Sequence, residues 1–450
     1  MKHLFALLSL LFFVFSEAIA DSENYNFDPD WLLETTDVPD AQDPTLNDQR
    51  WKRVTLPHAW NEDDAFRVLI DSLPTGTVWY RKHFTISNRS GKRYLLEVEG
   101  CRQGGQFFLN GKEVGLHENG ITAFGLDLTP YLKDGENVLA VRLNNAWDYR
   151  ETSTNAKFQW NDHNFNANYG GLPKNMWLHI MGSVYQTLPL YRNLGTTGVY
   201  VYAKDIDVAK REATIHAESE VRNDRNHPVK ISYRVTLTDR DGKQLQQWSA
   251  DPQEVPAQSS AKLCAEATVG NLHFWSWGYG YLYDVKTELI VDGKSVDEVV
   301  TRTGFRKTQF GEGKIWLNDR VMMVHGYAQR TSNEWPALGI DVPAWLSDYS
   351  NHLMVESGGN VVRWMHTCPS KQDVESCDRV GLIQAMPAGD AEKDREGIQW
   401  QQRMEAMRDA IIYNRNNPSI LFYECGNAGI SREHMLQMID IRNQYDPNGG

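Results

Sequence analysis

The chain changes rhythm twice, dividing it into three parts. From about Asp21 to Gln186, apolar and polar positions alternate in short runs. Tyr94, Leu96 and Val98 share one face and Leu95, Glu97 and Glu99 the other. A period of two marks half-buried strands. Gln106 to Leu109 runs into Asn110-Gly111 and then Val114, and Asn-Gly between two such runs marks a tight hairpin. Val138 to Leu143 alternates again, and no long amphipathic helix intervenes. Many short strands without helices predict a β-sandwich of jelly-roll type over residues 21–186.

From Leu188 to Thr308 the alternation is cleaner. Ile215, Ala217, Ser219 and Val221 face one way, as do Val229, Ile231, Tyr233, Val235 and Leu237, and then Tyr283, Val285, Thr287, Leu289 and Val291. Asp241-Gly242 and Asp292-Gly293 are turn signals. About a hundred residues of this kind predict an immunoglobulin-like sandwich over 187–308. After Phe310 strands alternate with helices. Strands are predicted at Val321–Val324, Gly359–Arg363, Leu382–Ala385 and Ile420–Cys425, and helices at Ala344–Glu356, Asp373–Val380, Ile398–Tyr413 and, with Ser431 as N-cap, onward to about Tyr445. Such alternation means a parallel sheet with right-handed crossovers. Four units over 309–450 make half of an eight-unit (β/α)8 barrel, a TIM barrel.

Composition narrows the function classes. The chain has 450 residues, enough for two or three domains. Its net charge is -13 and it has no Lys/Arg cluster, which argues against a nucleic-acid partner. Lys2 and His3 precede the apolar run Leu4–Phe15, and Ala18-Ile19-Ala20 supplies small residues. This reads as a secretory signal at 1–20, cut before Asp21, and predicts a periplasmic or secreted protein. The run is too short to cross about 30 Å of hydrocarbon, and no later segment is apolar enough to span. The five cysteines, 101, 264, 368, 377 and 425, follow no disulfide or zinc pattern. Cys368 and Cys377 could pair; buried free thiols are the favoured reading. The 15 tryptophans suit both cores and the flat faces of sugars.

Motifs along all three segments resemble glycoside hydrolase family 2. Leu56-Pro57-His58-Ala59-Trp60 is similar to the family's "PHDW" segment, Trp79-Tyr80-Arg81 to "WYR", and Asn110-Gly111 to its hairpin. Tyr169-Gly170-Gly171-Leu172 with Trp177-Leu178 resembles "YGGI…VWL". Trp275-Ser276, Tyr281-Leu282-Tyr283 and Gly304-Phe305-Arg306 resemble "LWSPE…YLY" and "GFR". Cys377–Leu382 resembles "CDRYGL", and Arg415–Ile420 is close to "RNHPSI", the most specific match of all. The resemblance implies an exo-acting, retaining O-glycosidase like β-galactosidases and β-glucuronidases. Its partner would be an oligosaccharide from a polysaccharide, and it would need no cofactor.

Retaining hydrolysis requires two carboxyl groups about 5–5.5 Å apart, one acid/base and one nucleophile. The resemblance places the acid/base at the end of strand four, in an "SLGNE" segment. Here that segment is Tyr423-Glu424-Cys425-Gly426-Asn427-Ala428, so the acid position holds Ala428. Three readings follow: Glu424 takes over, Glu433 enters from the next loop, or acid/base catalysis is lost and a carbohydrate-binding homologue remains. Glu424 shares the strand parity of position 428 but would lie about 13 Å deeper on a continuous strand. On that geometry the favoured reading is a barrel-interior partner for Arg363. The nucleophile is expected on strand seven, past residue 450. A four-strand half barrel would expose two sheet edges, so the chain is expected to be a fragment, with a dimer of half barrels as the other solution.

The resemblance further implies that Asn427 binds the sugar 2-hydroxyl, that Arg363 orients the nucleophile, and that His366 lines the pocket. Gln329, Arg330 and Asn333, with Glu334 a weaker candidate, fall where the family has "NRHE". Trp160, Asp162, His163 and Asn164 form a loop that in relatives reaches toward the active site. Ala385-Met386-Pro387 replaces an acidic, metal-linked segment, so no metal is expected there.

Overall fold

Alternation drives both sandwiches to bury one face of each strand. The computed structural model describes residues 22–65, 67–87, 90–118, 120–152, 154–156, 167–329, 342–365, 368–387 and 393–449. In the first domain a four-stranded antiparallel sheet runs in the order Glu23–Asn26, Met176–Met181, Arg93–Val98, Phe124–Asp127. It packs on a six-stranded one ordered Lys52–Val54, Trp31–Glu34, Thr77–Ile86, Gly135–Asn144, Gly104–Leu109, Lys112–His117. Trp31, Tyr80, Leu96, Phe107, Phe124 and Leu139 fill the space between them. Asn110 adopts positive φ at the tip of the predicted hairpin, as an Asn-Gly turn requires.

The second domain packs the sheet built around Glu212–Asn223 on the sheet built around Val229–Thr238 and Tyr283–Val291. The strand Val184–Gln186 joins it by pairing with Val221–Asn223. Ser219, a polar residue on the inward face, is satisfied there: its hydroxyl donates to Gln186 Oε1 at 2.7 Å and bonds the Tyr233 hydroxyl at 2.7 Å. An unpaired hydroxyl in that core would cost free energy instead.

The barrel segment starts later than the apolar pattern suggests. Thr308–Gly311, Lys314–Leu317 and Arg320–Met322 form an antiparallel meander, so the run Val321–Val324 is not the first barrel strand. Asn318 and Asp319, both at positive φ, turn the chain back tightly between two of these strands. A short apolar run by itself does not distinguish a hairpin strand from a parallel one. The parallel sheet runs Gly326–Gln329, Val361–Trp364, Ile383–Pro387, Ile420–Glu424. Its helices are Ala344–Glu356, Lys371–Val380, Gly397–Asn414 and Arg432–Tyr445. The Ser431 hydroxyl caps the last of these by accepting from the His434 N–H at 3.2 Å. Gly381 ends the helix Lys371–Val380 in the left-handed conformation, its N–H bonded to the Cys377 carbonyl. Trp345, Tyr349 and Leu353 on the first helix and Met435, Leu436 and Ile439 on the last stand exposed. No helix among the described residues is long and apolar enough to cross a membrane. All five cysteines are free, so Cys368 and Cys377 are not paired.

The domains are tied by specific polar contacts. Arg306 donates to the carbonyls of Pro418 and Ile420, both at 2.5 Å. Lys174 of the first sandwich, buried, donates to the carbonyls of Ile121, Cys368 and Pro369. The Tyr413 hydroxyl donates to Glu97 at 2.5 Å.

Beside that contact burial, and after it the nearby Glu97, pushes Glu99 up to about 7. Burial likewise raises Asp373 to about 6. Raised carboxyl groups bind a proton in the folded chain that the unfolded chain has already released. Their contribution to stability is complete below about pH 4.5 and is lost as pH rises through 6 to 7. His58 and His117, whose pKa values burial lowers, act in the opposite direction in both proteins, so the expected result is a wild-type melting temperature that falls relative to that of Glu99→Gln between pH 5 and pH 7.5. Calorimetry across that range checks it; parallel profiles for the two proteins would refute it.

Candidate active site

The site forms where the parallel strands end. Ala328 on strand one and Ala385 on strand three lie in register on either side of Arg363 on strand two. These two small side chains leave room for the guanidinium on the inner face of the sheet. Strand four ends at Glu424, opposite Pro387. Arg363 Nε donates to Glu424 Oε2 at 2.7 Å, and Nη2 bonds Glu424 Oε1. Nη2 also donates to Asn427 Oδ1 at 2.9 Å. Glu424 keeps 14% of its side chain accessible and Arg363 33%, on the face of the sheet that the four described barrel strands leave uncovered.

The depth expected for Glu424 is corrected by where strand four ends. The distance of about 13 Å assumes that the strand continues through residue 428. Instead the chain leaves the strand after Glu424, and Gly426 takes φ +156°. A Cβ there would come within 2.5 Å of Ile430 Cδ1. This break puts Glu424 at the carboxyl end of strand four, where barrel enzymes carry their catalytic groups. The predicted pairing with Arg363 is present, but at the rim.

Asn427 joins the same group, whereas Ala428 is exposed and forms a parallel bridge with Lys393. Glu433 stands exposed in the first turn of the last helix, where its charge suits the helix N-terminus. Gln329 is buried and turned back on its own strand, accepting from the Tyr327 hydroxyl at 2.6 Å. Arg330, Asn333, Glu334, His366, Trp160, Asp162, His163 and Asn164 lie outside the described residues.

Asp394, Glu396 and His434 offer ligand atoms within 4.8 Å of one another and could hold a cation. Their arrangement has another explanation. Asp394 accepts from His434 Nδ1 at 2.6 Å and from the N–H groups of Ser431 and Arg395, anchoring the loop after strand three to the last helix.

The strongest sequence motifs turn out to be connections rather than chemistry. Asp378 accepts from Asn417 at 2.5 Å and from the Ser419 N–H at 3.0 Å, linking two motifs beneath the barrel. Asn416 bonds the backbone of Val199 and Val201, and Arg415 bonds the carbonyl of Thr197, all in the second domain.

Two β-sandwiches ahead of a parallel βα segment, with an arginine–carboxylate pair at its strand ends, define a three-part modular architecture. The chain belongs to family 2 of the glycosyl hydrolases. The family's sugar-binding domain profile matches residues 31–194, the Glycosyl hydrolases family 2 profile 197–306, and its TIM-barrel domain profile 309–449. A β-glucuronidase of Formosa agariphila is 34% identical over 448 residues, covering 96% of this chain and 45% of that protein. A β-galactosidase of Bacteroides ovatus is 26% identical over 429 residues, covering 92% and 47%. The solved structure of a β-glucuronidase from glycoside hydrolase family 2 superposes with a TM-score of 0.88 at 33% identity, over 96% of this chain and 46% of that one. The chain thus spans about half the length of the relatives it matches.

Proposed function

We propose that these residues form the front part of a secreted or periplasmic retaining exo-β-glycosidase, with Glu424 as its acid/base. The observation that carries the reading is the position of Glu424 at the end of strand four, bonded to Arg363 beside Asn427. A β-glucuronide is the first substrate to test, because the 34% identical relative is named a β-glucuronidase, and a β-galactoside the second.

In the first half-reaction the protonated Glu424 gives its proton to the glycosidic oxygen. The bond from that oxygen to the anomeric carbon breaks, the alcohol leaves, and a second carboxylate, from a later strand of the whole barrel, bonds to the anomeric carbon. In the second half Glu424 takes a proton from water, whose oxygen displaces that carboxylate. The guanidinium of Arg363 bonds both carboxylate oxygens and so fixes the orientation of the group. Using Glu424 as acid requires the bound sugar to take over part of that contact. Asn427, already fixed by Arg363, is placed to meet a sugar hydroxyl.

The complete gene product carrying these residues should hydrolyse p-nitrophenyl β-glucuronide or β-galactoside and release the β-anomer first, as followed by proton NMR. No turnover of either glycoside, or initial release of the α-anomer, would overturn the reading.

A further inference from the structure

We propose that Arg403, on the helix after strand three, is a positioning residue for Glu424. The inference rests on the acid/base reading above and adds to it a group that does not touch the sugar. On the helix Gly397–Asn414, Trp400, Met407 and Ile411 form a buried apolar stripe. Arg403 falls inside that stripe and is itself only 3% exposed. Its guanidinium lies over the Trp400 ring, 5.6 Å from the centroid. Nη2 donates to the Lys393 carbonyl at 2.6 Å and Nη1 to the Cys425 carbonyl at 3.3 Å.

Those two carbonyls belong to the two loops that shape the rim. Cys425 follows Glu424 directly in the chain, and Lys393 bridges to Ala428. One planar fork therefore sets the separation of the strand-three and strand-four loops at the residue where strand four breaks. Gly426 completes the fit, because a Cβ there would lie 3.1 Å from Arg403 Nη1. A guanidinium can serve two divergent carbonyls at fixed angles, whereas an ammonium is a compact point charge on a flexible stem. A buried cation is also weak evidence for stability, since an apolar residue of similar volume often serves the core as well or better. The charge within the stripe is thus accounted for by the loops it joins.

The test uses leaving groups. A general acid matters most when the departing alcohol is a poor leaving group and little when it is 2,4-dinitrophenol. In the complete gene product, kcat/KM would be measured for Arg403→Met, Arg403→Lys and Glu424→Gln on the methyl and 2,4-dinitrophenyl β-glycosides of the sugar that the wild type accepts. Glu424→Gln should lose about 10²-fold or more on the methyl glycoside and far less on the activated one. Arg403→Met should show the same bias with a smaller loss, on the order of tenfold, and Arg403→Lys should fall between it and the wild type. Should Arg403→Met fail to fold, the bias in Arg403→Lys decides. Equal losses on both substrates, or none, would reduce Arg403 to a structural role. If Glu424→Gln itself shows no bias, the acid/base reading falls and this inference with it.

Discussion

Glu424→Gln is expected to lower kcat/KM of the complete enzyme on unactivated glycosides by about 10²–10⁴-fold. The substitution keeps the shape of the side chain and removes its exchangeable acid proton. It also replaces one of the two oxygens that Arg363 holds with an amide nitrogen, so a cost in stability is expected whatever the chemistry. Stability alone therefore decides nothing, and azide separates the two roles. In an acid/base variant, with an activated glycoside, the glycosyl-enzyme forms but waits for water that no base activates. Azide needs no base, so it should restore turnover in Glu424→Ala and yield a β-glycosyl azide. If Glu424 only neutralises Arg363, azide should change nothing and the loss should track the melting temperature. Ala428 sharpens the experiment, because its methyl group cannot provide the missing proton.

Trp275→Ala is expected to cost about 3–5 kcal/mol of stability, the range for deleting a large buried aromatic side chain. Trp275 is fully buried between the end of the second domain and the bottom of the barrel segment, packed with Leu282, Leu317, Ile383 and Leu421. Its indole N–H donates to the Asp378 carbonyl at 2.8 Å. The contacts Ile383 and Leu421 lie at the starts of strands three and four, the strands that end near the rim. Truncation leaves a cavity under the sheet and a carbonyl without its donor. Trp275→Phe keeps most of the volume and loses the hydrogen bond, so it should cost far less, about 1–2 kcal/mol. Chemical denaturation of the two variants checks the order; equal costs would show that the hydrogen bond, not the packing, holds the junction.

Some of this architecture was legible along the chain and some was not. The strand faces of the second domain could be read residue by residue, because a period of two leaves few alternatives once turns bracket each run. The helices Ala344–Glu356 and Gly397–Asn414 were legible to within a residue. Val321–Val324 misled because four apolar residues satisfy a hairpin and a buried parallel strand equally well; the Asn318-Asp319 turn was the signal available. Arg403 left a trace too, as a charge at an apolar position of an otherwise regular stripe, but nothing nearby in sequence names its two carbonyl partners.

The motif that matched best, Arg415–Ile420, concerns how the barrel joins the second domain. Its side chains bond backbone groups more than two hundred residues away. By itself, then, the sequence determined the order of domains, the family and the presence of alanine, not a carboxylate, at position 428, since these depend on local pattern and residue identity. Only the tertiary structure decided where strand four stops, and with it whether Glu424 is an interior ion-pair partner or a group at the rim. That choice depends on the loop contacts around Gly426 and on the Arg363 guanidinium crossing from strand two, and such contacts exist only once distant segments have packed together.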